Sequence, residues 1–272
     1  MKTIGWEVIQ IPRNILQNAN NTQYINHNSL IFIKKIGPIR VAKMRRPGPN
    51  TDYDEVIKRL SAQGVFIFQM DPEADNPETF KKLGFRKNRD QILGTKTLLI
   101  DLRPEINKVM DSFKPETRNK LRKFLISNDK LLKNNFDLFY KILREGYKDL
   151  DVWCPPRDQY DNLIKAFGDK CFCLTINDIS GCLVIINEGV AEYYYAASTK
   201  AGKENNLPYL VVWEAMKEAK KRGAVVWDFN GYYDDRYPDK RWKGFSFFKS
   251  RFGGTTLEFA GSYSKINLPW NK

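Results

Sequence analysis

The chain has 272 residues, 42% hydrophobic and 28% charged, and 45 basic against 32 acidic side chains leave a net charge of +13. That composition excludes a disordered polymer and allows one large domain or two ordinary ones. The excess charge favours a polyanionic partner (nucleic acid, an anionic membrane face or a phosphate-bearing substrate) without choosing among them.

No apolar run approaches the ~18–20 residues needed to span a bilayer. The opening MKTIGWEVIQIPRN lacks the apolar stretch of a secretion signal, so a cytoplasmic location is expected. In chain order, Leu30 to Ile33 and Val41 to Met44 read as strands around a turn. Tyr53 to Gln63 reads as a helix closed by Gly64, followed by a buried strand, Val65 to Met70, stopped by Asp71-Pro72. Pro77 to Leu83 makes a short helix. The polar stretch Arg86 to Lys96 marks a boundary, giving expected domains 1–96 and 97–272.

The second half opens with a strand, Thr97 to Ile100. Lys114 to Asp129 reads as a helix with Arg118 and Arg122 one turn apart on a basic face. Helices Phe136 to Tyr147 and Asp158 to Phe167 come next. Three strands follow: Cys171 to Ile176, Cys182 to Asn187 and Ala191 to Ala197. A helix begins around Pro208 and stops at Gly223, Val225 to Phe229 is a buried strand, and Thr255 to Tyr263 is expected as the last. The fold class is α/β (α+β) in two βα-type halves.

The four cysteines (154, 171, 173 and 182) have neither zinc-ribbon nor CxxC spacing and read as buried thiols. His27 is the only histidine and has no partner at motif spacing. Chemistry without imidazole or metal is therefore expected. From Tyr232 to Gly254 the chain reads YYDDRYPDKRWKGFSFFKSRFGG, where cations alternate with rings and no acid follows Asp239. Such a stretch suits a partner with phosphates and flat groups, and a cation in it can stabilise charge on a reacting carbonyl. The alternative is a last helix with an apolar inner face and a solvated basic outer face.

The strand, strand, loop, helix, strand order from Cys182 to Phe229 is the layout of acyl-CoA acetyltransferases. Their pyrophosphate loop is absent, because Ser198 to Pro208 (STKAGKENNLP) lacks the glycine spacing. It fails as a nucleotide P-loop too, with Ala197 and Glu204 at the decisive positions.

Seven stretches in order carry a more specific likeness: IGWEV, VFIFQMDPE, LGFRKNRDQILGTKTLLIDL, KPETRNKLRK, AEYYYAAST, NNLPYLVVWEAMKEAKKRGAVVWDFNG and GFSFFKSRFGG. The chain resembles the Fem (FemABX) family of peptidoglycan-bridge aminoacyltransferases. The resemblance implies twin GNAT-like domains, the first trimmed at its N-terminus. It also implies transfer of an amino acid from aminoacyl-tRNA to an amine on the stem peptide of a cell-wall precursor, nucleotide-linked (UDP-MurNAc-pentapeptide) or lipid-linked (lipid II). No cofactor is implied beyond the aminoacyl-tRNA co-substrate.

By position, the family's Phe-Lys pair falls on Phe248-Lys249, with Lys249 placed to stabilise the developing oxyanion. Tyr195, Tyr160 and Arg157 fall on precursor-binding positions, and Asp71 on a carboxylate able to take the amine proton. The basic surface around Arg118, Arg122, Lys200, Lys203 and Arg251 would meet the tRNA backbone or an anionic inner-membrane surface. Three departures stand out. Only four residues precede Gly5, Glu7 and Val8 stand where the family has a lysine, and Asn230 replaces the first glycine of its Asp-x-Gly-Gly. They weigh against the nucleotide-linked precursor and leave lipid-linked or different acceptors open. Two rivals are an acyl-CoA N-acyltransferase of the same fold and an inactive tRNA- or membrane-binding relative. An aminoacyl-tRNA–protein transferase is a further alternative.

Overall fold

The computed structural model describes residues 2–3, 6–11, 29–48, 51–89, 94–124, 129–148 and 153–266. His27 lies outside them. The chain folds into two units: residues 1–96, 234–238 and 258–272 form one, and residues 97–233 and 239–257 the other. The break after Lys96 falls where the polar stretch ends. The second unit does not run uninterrupted to the C-terminus, since two later segments return to the first.

In the first unit, β1 (Lys2–Thr3), β2 (Trp6–Ile11), β3 (Ser29–Ile36) and β4 (Ile39–Arg45) form an antiparallel meander. Helix α1 (Tyr53–Ala62) crosses to β5 (Val65–Asp71), parallel to β4. Asp52 caps α1 by accepting from the Glu55 N–H, so the helix starts where a carboxylate can take an orphan donor. Helix α2 (Pro77–Lys82) and β6 (Arg86–Lys87) follow. Phe68, Met70, Phe80, Phe85 and Tyr263 form much of the core, each 4% exposed or less.

The second unit starts from β7 (Lys96–Asp101), α3 (Ile106–Asp111) and α4 (Pro115–Phe124). Residues 125–128, expected to continue α4, lie outside the described segments. Then come β8 (Leu131–Lys133), α5 (Phe136–Lys148) and α6 (Arg157–Phe167). The antiparallel strands β9 (Cys171–Ile176), β10 (Ser180–Asn187) and β11 (Val190–Ser198) lead through α7 (Lys200–Glu204) and α8 (Leu207–Lys221) to β12 (Val226–Asp228). Helix α9 (Arg241–Ser250) and β13 (Thr255–Glu258) complete it. Alternation along β9 sends Cys171 and Cys173 to the α5–α6 side and Phe172 and Leu174 to the α8 side. With both faces covered, the strand is apolar throughout except Thr175, as expected for a central strand.

The single last strand expected over 255–263 is instead two. The Gly261 turn, φ +94, separates β13 from β14 (Tyr263–Ile266), which pairs with β5 and β6 in the first sheet. No helix among the described residues is long and apolar enough to cross a membrane.

Both sheets share one plan, a meander, a helical crossover, a parallel strand and then an antiparallel one. They differ in one respect that locates the site. In the first unit β4 and β5 stay paired from Arg40 to Asp71. In the second, β11 and β12 pair only over Val190–Glu192 and Val226–Asp228, after which the two strands part.

Candidate active site

Where β11 leaves β12, a cavity of about 720 Å³ opens within the second unit. The end of β11, the start of α8, the Asn230 turn and one face of α9 line it, with α5 contributing Gly146 and Tyr147. Its walls are mostly rings and small residues. Among the described residues, Lys203, Arg241 and Lys249 are its charged lining residues, and none that lines it is an acid. Arg241 is bound to Asp239 at 2.7 Å and largely exposed, which leaves Lys249 and Lys203 as the cations free to face a ligand.

Lys249 sits in the last turn of α9, and its Nζ donates to the Gly231 carbonyl oxygen at 2.6 Å. One proton of the ammonium is used there and two remain. Burial drives its pKa down from the usual lysine value to about 8, while the nearby Asp228 charge opposes the fall. Phe248 beside it packs edge-on against Tyr209 and Phe252, so the Phe-Lys pair has one ring anchored in the wall. The last-helix alternative of a buried apolar face does not hold. Ser246 is the buried residue of α9, while Phe245 and Phe247 are 47% and 60% exposed.

The turn that presents Gly231 is built from β12. The Asp228 carboxylate accepts from the Asn230 N–H at 2.7 Å and from the Thr97 hydroxyl, whose oxygen accepts from the Gly231 N–H. Asn230 has φ +51, and asparagine is among the few non-glycine residues at ease there. This explains how asparagine can stand where the resembled family has glycine. Gly231, at φ +108, has no such latitude, because a Cβ there would come within 2.5 Å of the Trp242 ring. Tyr233 N–H donates to Ser246 Oγ at 2.6 Å, a second tie from the turn to α9.

The other expected site residues scatter. Lys203 lines the cavity. Tyr195 is half-buried at the α5 face, edge-on to Tyr194. A bulge opposite Leu183 and Val184 leaves Tyr194 unpaired, so Tyr193 turns to the α8 side while Tyr194 and Tyr195 share the other. Of the three, Tyr193 and Tyr194 reach the cavity wall. Tyr160 is a correction: it is fully buried and its hydroxyl donates to the Phe136 carbonyl, which makes it a core residue with no face for a substrate.

Arg157 is corrected as well. It starts the same helix, α6, but its guanidinium is held between Asp137 and Asp161 on the surface. Arg118 donates to the carbonyls of Asp111 and Phe113, closing the turn before α4, so its guanidinium is committed to the backbone. Arg122 is exposed, and Arg251 rests over the Phe247 ring at 4.4 Å. Asp71 belongs to the first unit, buried, with the Ser262 hydroxyl donating to it. Desolvation raises its pKa against the hydrogen bond and the Arg46, Arg45 and Lys43 charges.

Sequence reasoning passed over Tyr209 and Tyr147, whereas Trp242 belongs to the cation-and-ring stretch it singled out. The first follows Pro208 in the opening turn of α8, a position that could have marked it. Among the described residues no group of three His, Cys, Asp or Glu side chains could hold a metal ion.

Residues 174–270, which form most of the cavity, match the model of the FemAB family. No curated protein is significantly similar in sequence. The fold is similar to that of FemX, at 15% identity and a TM-score of 0.78 over 98% of this chain and 89% of that one. It is also similar to L-PGS from Bacillus licheniformis (11% identity, TM-score 0.58, 90% of this chain, 82% of that one). A tandem GNAT protein from the clavulanic acid biosynthesis pathway is another likeness (8% identity, TM-score 0.53, 88% and 78%). At these identities the structural likenesses show a shared fold of GNAT-like units. The family match covers residues 174–270, about a third of the chain, and the likeness to the FemAB family rests on that segment.

Proposed function

We propose that the protein is an aminoacyltransferase that moves an amino acid from aminoacyl-tRNA to an amine on a peptidoglycan precursor. The observation that carries this is Lys249, an ammonium that spends one proton on the Gly231 carbonyl in a largely apolar cavity lined by no acid among the described residues. An aminoacyl ester is already activated, so the reaction needs positioning and stabilisation of one oxyanion. The acceptor amine attacks the ester carbonyl carbon. A C–N bond forms, the ester C–O bond breaks, and the ribose hydroxyl leaves with a proton while the amine loses one. In this reading Lys249 donates a hydrogen bond to the carbonyl oxygen as its charge grows. The surrounding rings strengthen that contact by excluding water.

The family resemblance further assigns Asp71, in the first unit, the taking of an amine proton; within that unit burial raises its pKa and the Ser262 hydroxyl donates to it. The match of residues 174–270 to the FemAB family model supports the substrate pair.

The acyl-CoA reading is less well supported. The loop that would cradle a pyrophosphate is wound into α7, where Thr199 Oγ1 accepts from the Gly202 N–H at 3.2 Å and Thr199 O from the Lys203 N–H. Backbone donors there are already engaged. The test is incubation with a radiolabelled, mixed aminoacyl-tRNA pool and both nucleotide- and lipid-linked precursors, with mass analysis of the product. A precursor heavier by an amino-acid residue is expected. Acylation that depends on acyl-CoA, with none from aminoacyl-tRNA, would overturn the reading.

A further inference from the structure

In the first unit, one end of the sheet gathers cations and exposed aliphatic side chains. The β3–β4 hairpin closes on a two-residue turn, Gly37-Pro38, between the paired Ile36 and Ile39, with Gly37 at the φ of +58 that a tight hairpin asks of its first turn residue. The tip stands open. A Cβ built on Gly37 would touch nothing within 4 Å, Lys35, Pro38 and Arg40 are exposed, and Ile36 is 53% exposed. Lys35 and Arg40 lie directly opposite each other across the hairpin, a like-charge pair that costs stability. Arg40 donates to the Gln63 carbonyl at 2.8 Å, and among the described residues neither cation is ion-paired to a carboxylate. The sequence supplies no relief, since no acid occurs between Glu7 and Asp52 while β3 and β4 carry Lys34, Lys35, Arg40, Lys43 and Arg45. On the neighbouring α1, Glu55 is bound to Arg59. Register extends the surface across the sheet: Lys34, Val41, Ile67 and Ile266 are successive partners on β3, β4, β5 and β14, and Ile266 is 59% exposed.

We propose that this end of the first unit docks on an anionic bilayer surface, with Ile36 and Pro38 entering the headgroup boundary and Lys35 and Arg40 against lipid phosphates. These residues are distinct from the basic ones expected in the second half of the chain. Apolar insertion and charge attraction act here at one point, the two signals that peripheral attachment combines. The aliphatic tip decides for lipid over RNA. Bases need a ring to stack on, and the large apolar side chains exposed in this unit are isoleucines. An RNA backbone would be served by Lys35 and Arg40 alone and would leave Ile36 facing water. Docking needs neither donor nor acceptor, so the proposal stands apart from the transfer chemistry.

The test is sedimentation of the full chain with vesicles of equal parts phosphatidylglycerol and phosphatidylcholine, beside vesicles of phosphatidylcholine alone, at low and at raised salt. The proteins compared are wild type, Lys35→Gln, Ile36→Ser, Ile36→Trp and Lys165→Gln, an exposed control on α6. Binding to the anionic vesicles is expected, weakening as salt rises. Lys35→Gln should weaken it about fivefold, the worth of one cation at such a surface, and Ile36→Ser about tenfold through the lost insertion. Ile36→Trp should strengthen it, because tryptophan favours the interface. Lys165→Gln should change it less than about twofold. Thermal unfolding of each variant separates docking from folding, and Ile36→Trp keeps the test open should Ile36→Ser fail to fold.

No sedimentation with the anionic vesicles would overturn the docking surface, as would equal sedimentation with phosphatidylcholine alone. Folded Ile36→Ser or Ile36→Trp proteins that bind vesicles like wild type would overturn it too. A deacylated tRNA pool is titrated against the same proteins. Weakened tRNA binding in Lys35→Gln, with vesicle binding intact, would reassign the hairpin to nucleic acid. Vesicle binding that follows Lys35 and Ile36 in a protein that transfers nothing would leave the docking surface standing and sink only the proposed activity.

Discussion

Lys249 Nζ and the Gly231 carbonyl oxygen lie 2.6 Å apart, joining the last turn of α9 to the turn that follows β12. The bond fixes where the ammonium sits at the cavity wall and keeps it from swinging into solvent. Asp228 stands behind the same turn, so a carboxylate steadies the cation from a distance without neutralising it.

Lys249→Met is expected to lower transfer at least about a hundredfold, the cost of losing an oxyanion donor. Stability should change by no more than about 2 kcal/mol, because relief of a buried charge offsets the unpaired Gly231 carbonyl. The measurement is single-turnover transfer beside urea unfolding.

The pH dependence follows from the same group. Lys249 titrates near 8, and its ammonium is present below that value. Transfer is expected to fall as pH rises through about 8, although a free acceptor amine alone would make it rise. In Lys249→Arg, charged throughout this range, the fall is expected to vanish from whatever activity remains. A pH–rate profile of both proteins with the same donor checks this.

Gly231→Ala is expected to displace Trp242 and destabilise the second unit by more than about 1 kcal/mol, since φ +108 and the ring contact both oppose a Cβ. Asn230→Gly should be nearly silent in stability and in transfer, because glycine adopts the same backbone without strain. Thermal unfolding and transfer rates of the two variants make the comparison.

Tyr160→Phe should cost about 1 kcal/mol by leaving the Phe136 carbonyl without its donor. It should leave KM for the acceptor unchanged, as befits a residue with no exposed surface. A raised KM with unchanged stability would return Tyr160 to the substrate site.

In the first unit, burial would raise the Asp234 pKa, but hydrogen bonds from Arg236 and Thr95 outweigh it and hold the carboxyl at about 2. The folded value lies below the unfolded one, so this stabilisation is present above about pH 4 and is lost as pH falls toward 2. Asp234→Asn is expected to destabilise by about 2 kcal/mol at pH 7, with the gap to wild type narrowing below pH 4. Urea titrations at the two pH values measure it.

The strands and helices were readable where burial imposes a period. Cys171 and Cys173 share a face, α1 stops before Gly64, and α8 carries Pro208 in its first turn. The boundary after Lys96 was readable as a change of composition. The return of β14 to the first sheet was not, because pairing with β5 is a contact between residues nearly 200 positions apart. Nor was the bulge at Tyr194, which overrides the two-residue alternation on which any choice among Tyr193, Tyr194 and Tyr195 depends.

The sequence by itself determined the cation-and-ring chemistry of the last helix, the lack of a histidine or metal constellation at motif spacing, and the Phe248-Lys249 pair. Tertiary structure alone decided which cations are available. Arg118, Arg157 and Arg241 look like Lys249 in the chain, yet carbonyls or carboxylates engage their guanidinium groups, while Lys249 gives one proton to the Gly231 carbonyl and still lines the cavity. A side chain's charge is local, but whether that charge is spent depends on partners that only the folded backbone brings within about 3 Å.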